Sequence, residues 1–257
     1  MDVVTVVLSI FSGAVVGFVL GVIGGGGSIL ALPLLVYLVG YEGDPHAAIG
    51  TSALAVAASA LVNVIHHKRA GHVDLKLGLW FALPGVAGAL LGARLGLATN
   101  GDRLLILFAC LMLVVAWRMW TQRQPVDRPR GGHSQPFRRR IVVPLGFLVG
   151  ALSGFFGIGG GFLIVPALLW GGGIGVKGAI GTSLVAVTLF GLTTAAGYGF
   201  AGKLDLPIAG LFILGGIVAG FAGTRLAHGS PTDRLRRVFA AALVLVAAYM
   251  LFRTLRA

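Results

Sequence analysis

Cysteine is all but absent from this chain. The one thiol, Cys110, falls in an apolar run. It cannot close an internal disulfide, and one thiol does not make a metal site. Its expected role is that of a small buried hydrophobe. Charge is nearly as scarce: 11% of residues are charged, where soluble domains carry roughly 25%. No His and Cys cluster has metal-ligand spacing, and no pair of carboxylates shares an apolar run. No Gly-Lys-Ser/Thr loop is present to cradle a nucleotide. These gaps speak against a metalloenzyme, against hydrolysis by paired carboxylates and against transport driven by ATP. We therefore expect no enzyme, no catalytic residue, no metal and no cofactor. Met1-Asp2 also lacks the basic start of a secretory signal peptide, so none is expected.

What the chain has instead is apolar length. It is 57% hydrophobic, with a mean hydropathy of +0.95. Runs of about 20 apolar residues, enough to cross a bilayer, recur throughout. The expected fold is an all-α polytopic membrane protein with the lipid bilayer as its solvent. The expected spans are 3–23, 28–40, 45–66, 73–97, 103–120, 141–157, 160–172, 178–199, 205–228 and 233–255. Asp74 falls in the first turn of one span, and Asp102 is the expected cap of the next. The segment 28–40 is short for a full crossing and is expected to be re-entrant or strongly tilted.

The net charge is +12, which on paper suits nucleic acid. Its placement does not. Seven of the 20 Lys and Arg residues fall between Arg118 and Arg140, in a Pro- and Gly-rich polar stretch. Such basic loops stay on the cytoplasmic side. We expect residues 121–140 to be a cytoplasmic linker and no nucleic acid to be bound.

The linker separates two similar halves, 1–120 and 141–257. With an offset of 133, Gly13, Gly17, Gly21, Gly24 and Pro33 fall on Gly146, Gly150, Gly154, Gly157 and Pro166. With an offset of 131, Ile49-Gly50-Thr51-Ser52 falls on Ile180-Gly181-Thr182-Ser183, and Asp74 on Asp205. Each repeat has four to five helical segments, about 8–10 in total, and its first helix is broken at a glycine cluster. Four crossings per half make the halves parallel and five make them inverted. The cluster Arg225, Arg234, Arg236 and Arg237 leans toward inversion.

Broken helices in paired halves point to a midplane substrate site. A helix starting after Gly27 or Gly160 has amides with no intrahelical partner, and an anion suits both those donors and the dipole. The alternative is that the glycines allow only close packing and a sharp turn. Thr51, Ser52, Thr182 and Ser183 offer hydroxyls to an oxyanion, or else bond to their own helices. Asn63 and Thr194 are equivalent polar positions that bond between helices or touch substrate. Arg94 and Arg225 draw an anion or snorkel to the headgroups. Asp74 and Asp205 carry protons or cap helices.

In this order, and twice over, Gly24-Gly25-Gly26-Gly27-Ser28 with Pro33, then Gly50-Thr51-Ser52, resemble the sulfite exporter TauE/SafE family, also called the toluene sulfonate uptake permease family. The resemblance covers essentially the whole chain. It implies a secondary transporter, more an exporter than an importer, of a small sulfur-containing anion such as sulfite or an organosulfonate. It implies alternating access in a bacterial inner membrane, with protons as a possible coupling ion. By resemblance, Gly24 to Gly27, Thr51 and Ser52 line the permeation site, matched by Gly157, Gly159, Gly160, Gly161, Thr182 and Ser183. The second cluster departs from the first: Ile158 interrupts it, and Gly161 stands where Ser28 supplies a hydroxyl. Two other readings stay open, a transporter of another small anion and a non-transporting membrane subunit that binds a partner through the linker. The oligomeric state is open too.

Overall fold

The computed structural model describes residues 2–121, 138–227 and 232–254. Most of the expected linker therefore lies outside the described residues. Every regular element among the described residues is helical. The long helices are α1 (Val3–Ile23), α3 (Pro45–Arg69), α4 (Leu75–Leu97), α5 (Gly101–Thr121), α6 (Arg139–Phe156), α8 (Val176–Phe200), α9 (Leu206–Ala227) and α10 (Thr232–Thr254). Seven are long and apolar enough to cross a membrane. Two shorter pieces lie between them. After α1 come a 3₁₀ segment (Gly24–Leu30), one turn of α2 (Ala31–Pro33) and a π-helical stretch (Leu34–Val39). After α6 comes α7 (Gly161–Gly171).

Local chemistry sets the helix starts. Asp44, Asp74 and Asp205 lie just before α3, α4 and α9, and their carboxylates accept the amides of Ala47, Leu77 and Ile208 at 3.2, 2.9 and 3.0 Å. Each thus satisfies a donor that the first turn leaves open. Asp102 is not the cap of α5. That role falls to Asn100, whose side-chain oxygen accepts the Asp102 amide at 2.9 Å, because α5 begins two residues earlier than expected. Cys110 is exposed on the outer face of α5, not buried. The outer surface is itself apolar: Leu83, Val114, Leu214 and Val218 are all exposed. Contiguous surface of that kind belongs in hydrocarbon.

The helices pack mainly across the halves, with the largest interfaces α1 with α9, α4 with α6, and α3 with α8. Glycine sets the closest approaches. A Cβ at Gly13 or Gly17 would collide with the carbonyl oxygen of Phe212 or Gly216. Added at Gly146 or Gly150, it would collide with that of Phe81 or Gly85. These contacts are reciprocal under the offsets of 133 and 131. Small residues let backbones touch where side-chain burial alone gives no drive for helix association in lipid.

The same contacts fix the direction of each helix. Positions rise together in α1 and α9, and in α4 and α6, so these pairs are parallel. The pair α3 and α8 is antiparallel, since Gly50 meets Tyr198 while Ala57 meets Gly191. Ser59 and Asn63 meet Gly216 and Gly220, and Gly78 and Gly85 meet Thr182 and Phe190, which makes α3 parallel to α9 and α4 parallel to α8. It follows that α1 is parallel to α3 and α6 to α8, so residues 24–39 and α7 must each bring the chain back. The equivalent helices α1 and α6 run in opposite directions. The halves are inverted, with five segments each.

Inversion gives the molecule two unlike ends. All 4 tryptophans (Trp80, Trp117, Trp120 and Trp170) belong to the end where the linker attaches, and all 4 tyrosines (Tyr37, Tyr41, Tyr198 and Tyr249) to the other. Aromatic residues of this amphipathic type favour membrane–water boundaries.

Candidate transport site

The second glycine cluster is a true interruption. Gly157 ends α6 in the left-handed conformation at φ +69, and Gly159 and Gly160 follow at φ +63 and +68. Other residue types pay a steric penalty there, so three such residues in four demand glycine. The turn enters the middle of the protein. A Cβ on Gly159 would lie 2.9 Å from Val187 and 3.3 Å from Val56, near the midpoints of α8 and α3. From there α7 starts at Gly161. The Gly160 carbonyl accepts the amides of Leu163 and Ile164 at 3.0 and 3.1 Å. The amides of Gly161 and Phe162, two residues earlier, have no acceptor within α7.

The first cluster behaves differently. Its glycines run on as a 3₁₀ helix, which closes i→i+3 hydrogen bonds through the segment. Regular α-helix resumes at Ala31, not at residue 28, so the expected α-helix start directly after Gly27 does not form. A Cβ on Gly27 would collide with the backbone of Leu20, so the segment folds tightly back on α1. Ser28 is buried within it. The 3₁₀ segment and α7 pack directly on each other, and both touch α8. The first glycine segment therefore packs on the helix that the second glycine turn starts.

The Thr-Ser pairs have partners of their own, with Ile49, to which Ser52 bonds, against the Gly157 turn. The hydroxyl oxygen of Thr51 accepts the Asp205 amide at 3.0 Å, and that of Thr182 accepts the Asp74 amide at 2.9 Å. Each clasps a loop of the opposite half. Ser52 and Ser183 donate to the carbonyls of Ile49 and Ile180 in their own helices, at 3.0 and 2.7 Å. Asp74 and Asp205 are loop residues capping α4 and α9. Arg94 and Arg225 are exposed in the last turns of α4 and α9, away from the buried centre. Asn63 is buried and donates to the Ser59 carbonyl at 2.9 Å. Its counterpart Thr194 is buried with its hydroxyl oxygen unpartnered.

Two features were not anticipated from sequence. One is Ser153, fully buried with no hydrogen-bond partner for its hydroxyl. Leaving such a group unsatisfied costs about 1–3 kcal/mol. Its only advance signal was a lone hydroxyl in an apolar run, at the position matching Leu20. The other is a polar latch at the end away from the linker. Lys203 pairs with Asp44 at 2.8 Å, Arg253 pairs with Glu42 at 2.6 Å, and the Tyr41 hydroxyl donates to Asp205. Burial tends to raise the Asp44 carboxyl, but the Lys203 and Ala47 donors and the Lys203 charge outweigh it and hold the group below the usual carboxylate range. Burial, with the Asp205 carboxylate beside it, pushes the Tyr41 phenol well up. Neither feature announces itself locally, since the latch partners lie more than 150 residues apart in sequence.

Inverted halves, an apolar outer surface and helices interrupted at the centre define a polytopic membrane transporter. Comparison with known proteins gives its family. The profile described as Sulfite exporter TauE/SafE matches residues 9–250. A Probable membrane transporter protein of Xylella fastidiosa is 45% identical over 258 residues, covering 99% of this chain and 98% of the relative. Probable membrane transporter protein YunE of Bacillus subtilis is 24% identical, covering 96% of this chain and 97% of the relative. The chain belongs to the sulfite exporter TauE/SafE family.

Proposed function

We propose that the protein exports a small sulfur-containing oxyanion, such as sulfite or an organosulfonate, across the inner membrane of a bacterium. The observation that carries this reading is the packing of the first glycine segment against α7, whose preceding Gly159 turn lies at mid-length of α3 and α8. Inverted halves around such a centre suit alternating access, each half closing one side in turn. The linker end is cytoplasmic in this reading. Among the described residues, the far end carries Arg94, Arg103, Lys203 and Arg253, and every other Lys and Arg belongs to the linker end. An anion leaving a negative-inside cell moves down about 2.3 kcal/mol per charge per 100 mV, so export needs no coupling ion.

Flux of sulfite and of an organosulfonate in proteoliposomes tests the reading. Wild-type protein carries at least one of them, and the double variant Gly25→Leu, Gly159→Leu carries neither. Undiminished flux in that variant would remove the glycine segments from the pathway.

A further inference from the structure

We propose that the second glycine turn is a half-site for a singly charged oxoanion, held by the Gly161 and Phe162 amides and the Ser153 hydroxyl, and that it excludes doubly charged anions. The inference rests on the transport reading above and adds to it a residue and a charge rule.

The first support is Ser153 itself. Several buried hydroxyls on these helices return to the backbone: Ser9 donates to the Thr5 carbonyl at 2.7 Å, Thr188 to Leu184 at 2.8 Å and Ser183 to Ile180 at 2.7 Å. Ser153 does not, although it is fully buried and has a helical carbonyl one turn back. It is held against the start of α7, where a Cβ on Gly160 would lie 3.1 Å from the Ser153 Cβ and 3.2 Å from Val149. A donor without an acceptor thus adjoins two amides that have no acceptor within α7. All three donate, so the group that completes them brings oxygen lone pairs.

The second support is charge. The α7 helix and the 3₁₀ segment contain no ionisable residue. The basic residues of α6, Arg139 and Arg140, and the only one of α8, Lys177, stand at the helix starts, away from the turn. Neutral donors and one helix dipole suit a single negative charge. The desolvation penalty grows with the square of the charge, and these elements place no cation at the turn to offset the second one. Hydrogensulfite and organosulfonates fit this rule, and sulfate does not. The first half offers Leu20 where Ser153 stands, so the selective contact belongs to the second half.

The test uses the purified full chain with methanesulfonate as the monovalent probe and sulfate as the divalent one, at one pH. Flux in proteoliposomes and thermal unfolding in detergent are read in parallel. Wild-type protein carries methanesulfonate and is stabilised by it, and responds to sulfate in neither assay. Ser153→Ala raises KM for methanesulfonate about 10-fold, as loss of one hydrogen bond to a charged group requires. Vmax stays within about 2-fold, because the hydroxyl serves binding. Ser153→Thr restores KM, and Ser12→Ala, which removes another buried unpartnered hydroxyl, leaves it unchanged. An unaltered KM in Ser153→Ala, or sulfate carried as well as methanesulfonate, overturns the half-site while leaving the transport reading intact. A wild-type protein that moves neither sulfite nor any sulfonate overturns both.

Discussion

The two halves agree in how they pack and disagree in how they are decorated. Gly17 on Gly216 is answered by Gly150 on Gly85, and the Thr51–Asp205 clasp by Thr182–Asp74. The glycine clusters are not answered in this way. One runs through as 3₁₀ helix beside Leu20, and the other breaks into left-handed turns beside Ser153. The loops before α3 and α8 differ again. Residues 40–44 carry Tyr41, Glu42 and Asp44 into the latch, whereas Gly172-Gly173-Ile174-Gly175 carries no ionisable side chain. Close backbone packing tolerates no variation, so it is shared. Polar groups outside the clasps are free to diverge, and an inverted pair that works between two unlike compartments has reason to differ there.

The comparison can be broken most forcefully at the shared glycines. Gly17→Leu and Gly150→Leu each force a side chain into a facing carbonyl, and both should abolish recovery of monodisperse protein on size exclusion. Loss in one variant alone would show that the matching contacts are unequal in weight. A smaller and equally symmetric effect is expected at the clasps. Thr51→Val and Thr182→Val each strand a loop amide and should lower stability by about 1–3 kcal/mol, with similar falls in Tm.

The latch exists at one end only, so its effects have no counterpart. Lys203→Met should remove about 0.2–1 kcal/mol, as expected for an exposed pair. The sign with pH follows from the lowered Asp44 carboxyl. Its contribution is present above the unfolded carboxylate value of about 3.9 and is lost as pH falls through the lower folded value. Acid titration of Tm should therefore show a small wild-type decrement that Lys203→Met lacks. The smallest effect is expected at the linker. Replacing residues 121–140 with a neutral sequence should leave flux largely intact, whereas a protein that acts through a linker-bound partner would lose its function.

Hydropathy made the long helices legible, because a run of apolar residues in water has few alternatives. The glycine interruptions were legible for the same reason, since Gly157 to Gly160 could not continue a helix without cause. Direction was not. A segment as short as 28–40 reads alike whether it returns or dips, and only the pairing of Gly50 with Tyr198 and of Ser59 with Gly216 decides it. Ser153 was overlooked because its importance lies in a bond it does not make. The Thr-Ser pairs were prominent as a repeated motif, yet a motif does not disclose its partner, and for Thr51 that partner is the amide of Asp205.

The cross-half pairing also bears on how the chain is made. The partner of α1 is α9, roughly 200 residues later, and the partner of α4 is α6 on the far side of the linker. During synthesis the first half enters the bilayer with its glycine faces uncovered. Its helices gain their tight contacts only when the second half arrives in the opposite orientation. A chain arrested after Thr121 therefore presents bare helical faces to the membrane's quality-control proteases. Docking of the two halves is therefore expected late, once α9 and α10 have entered the bilayer to meet α1 and α5.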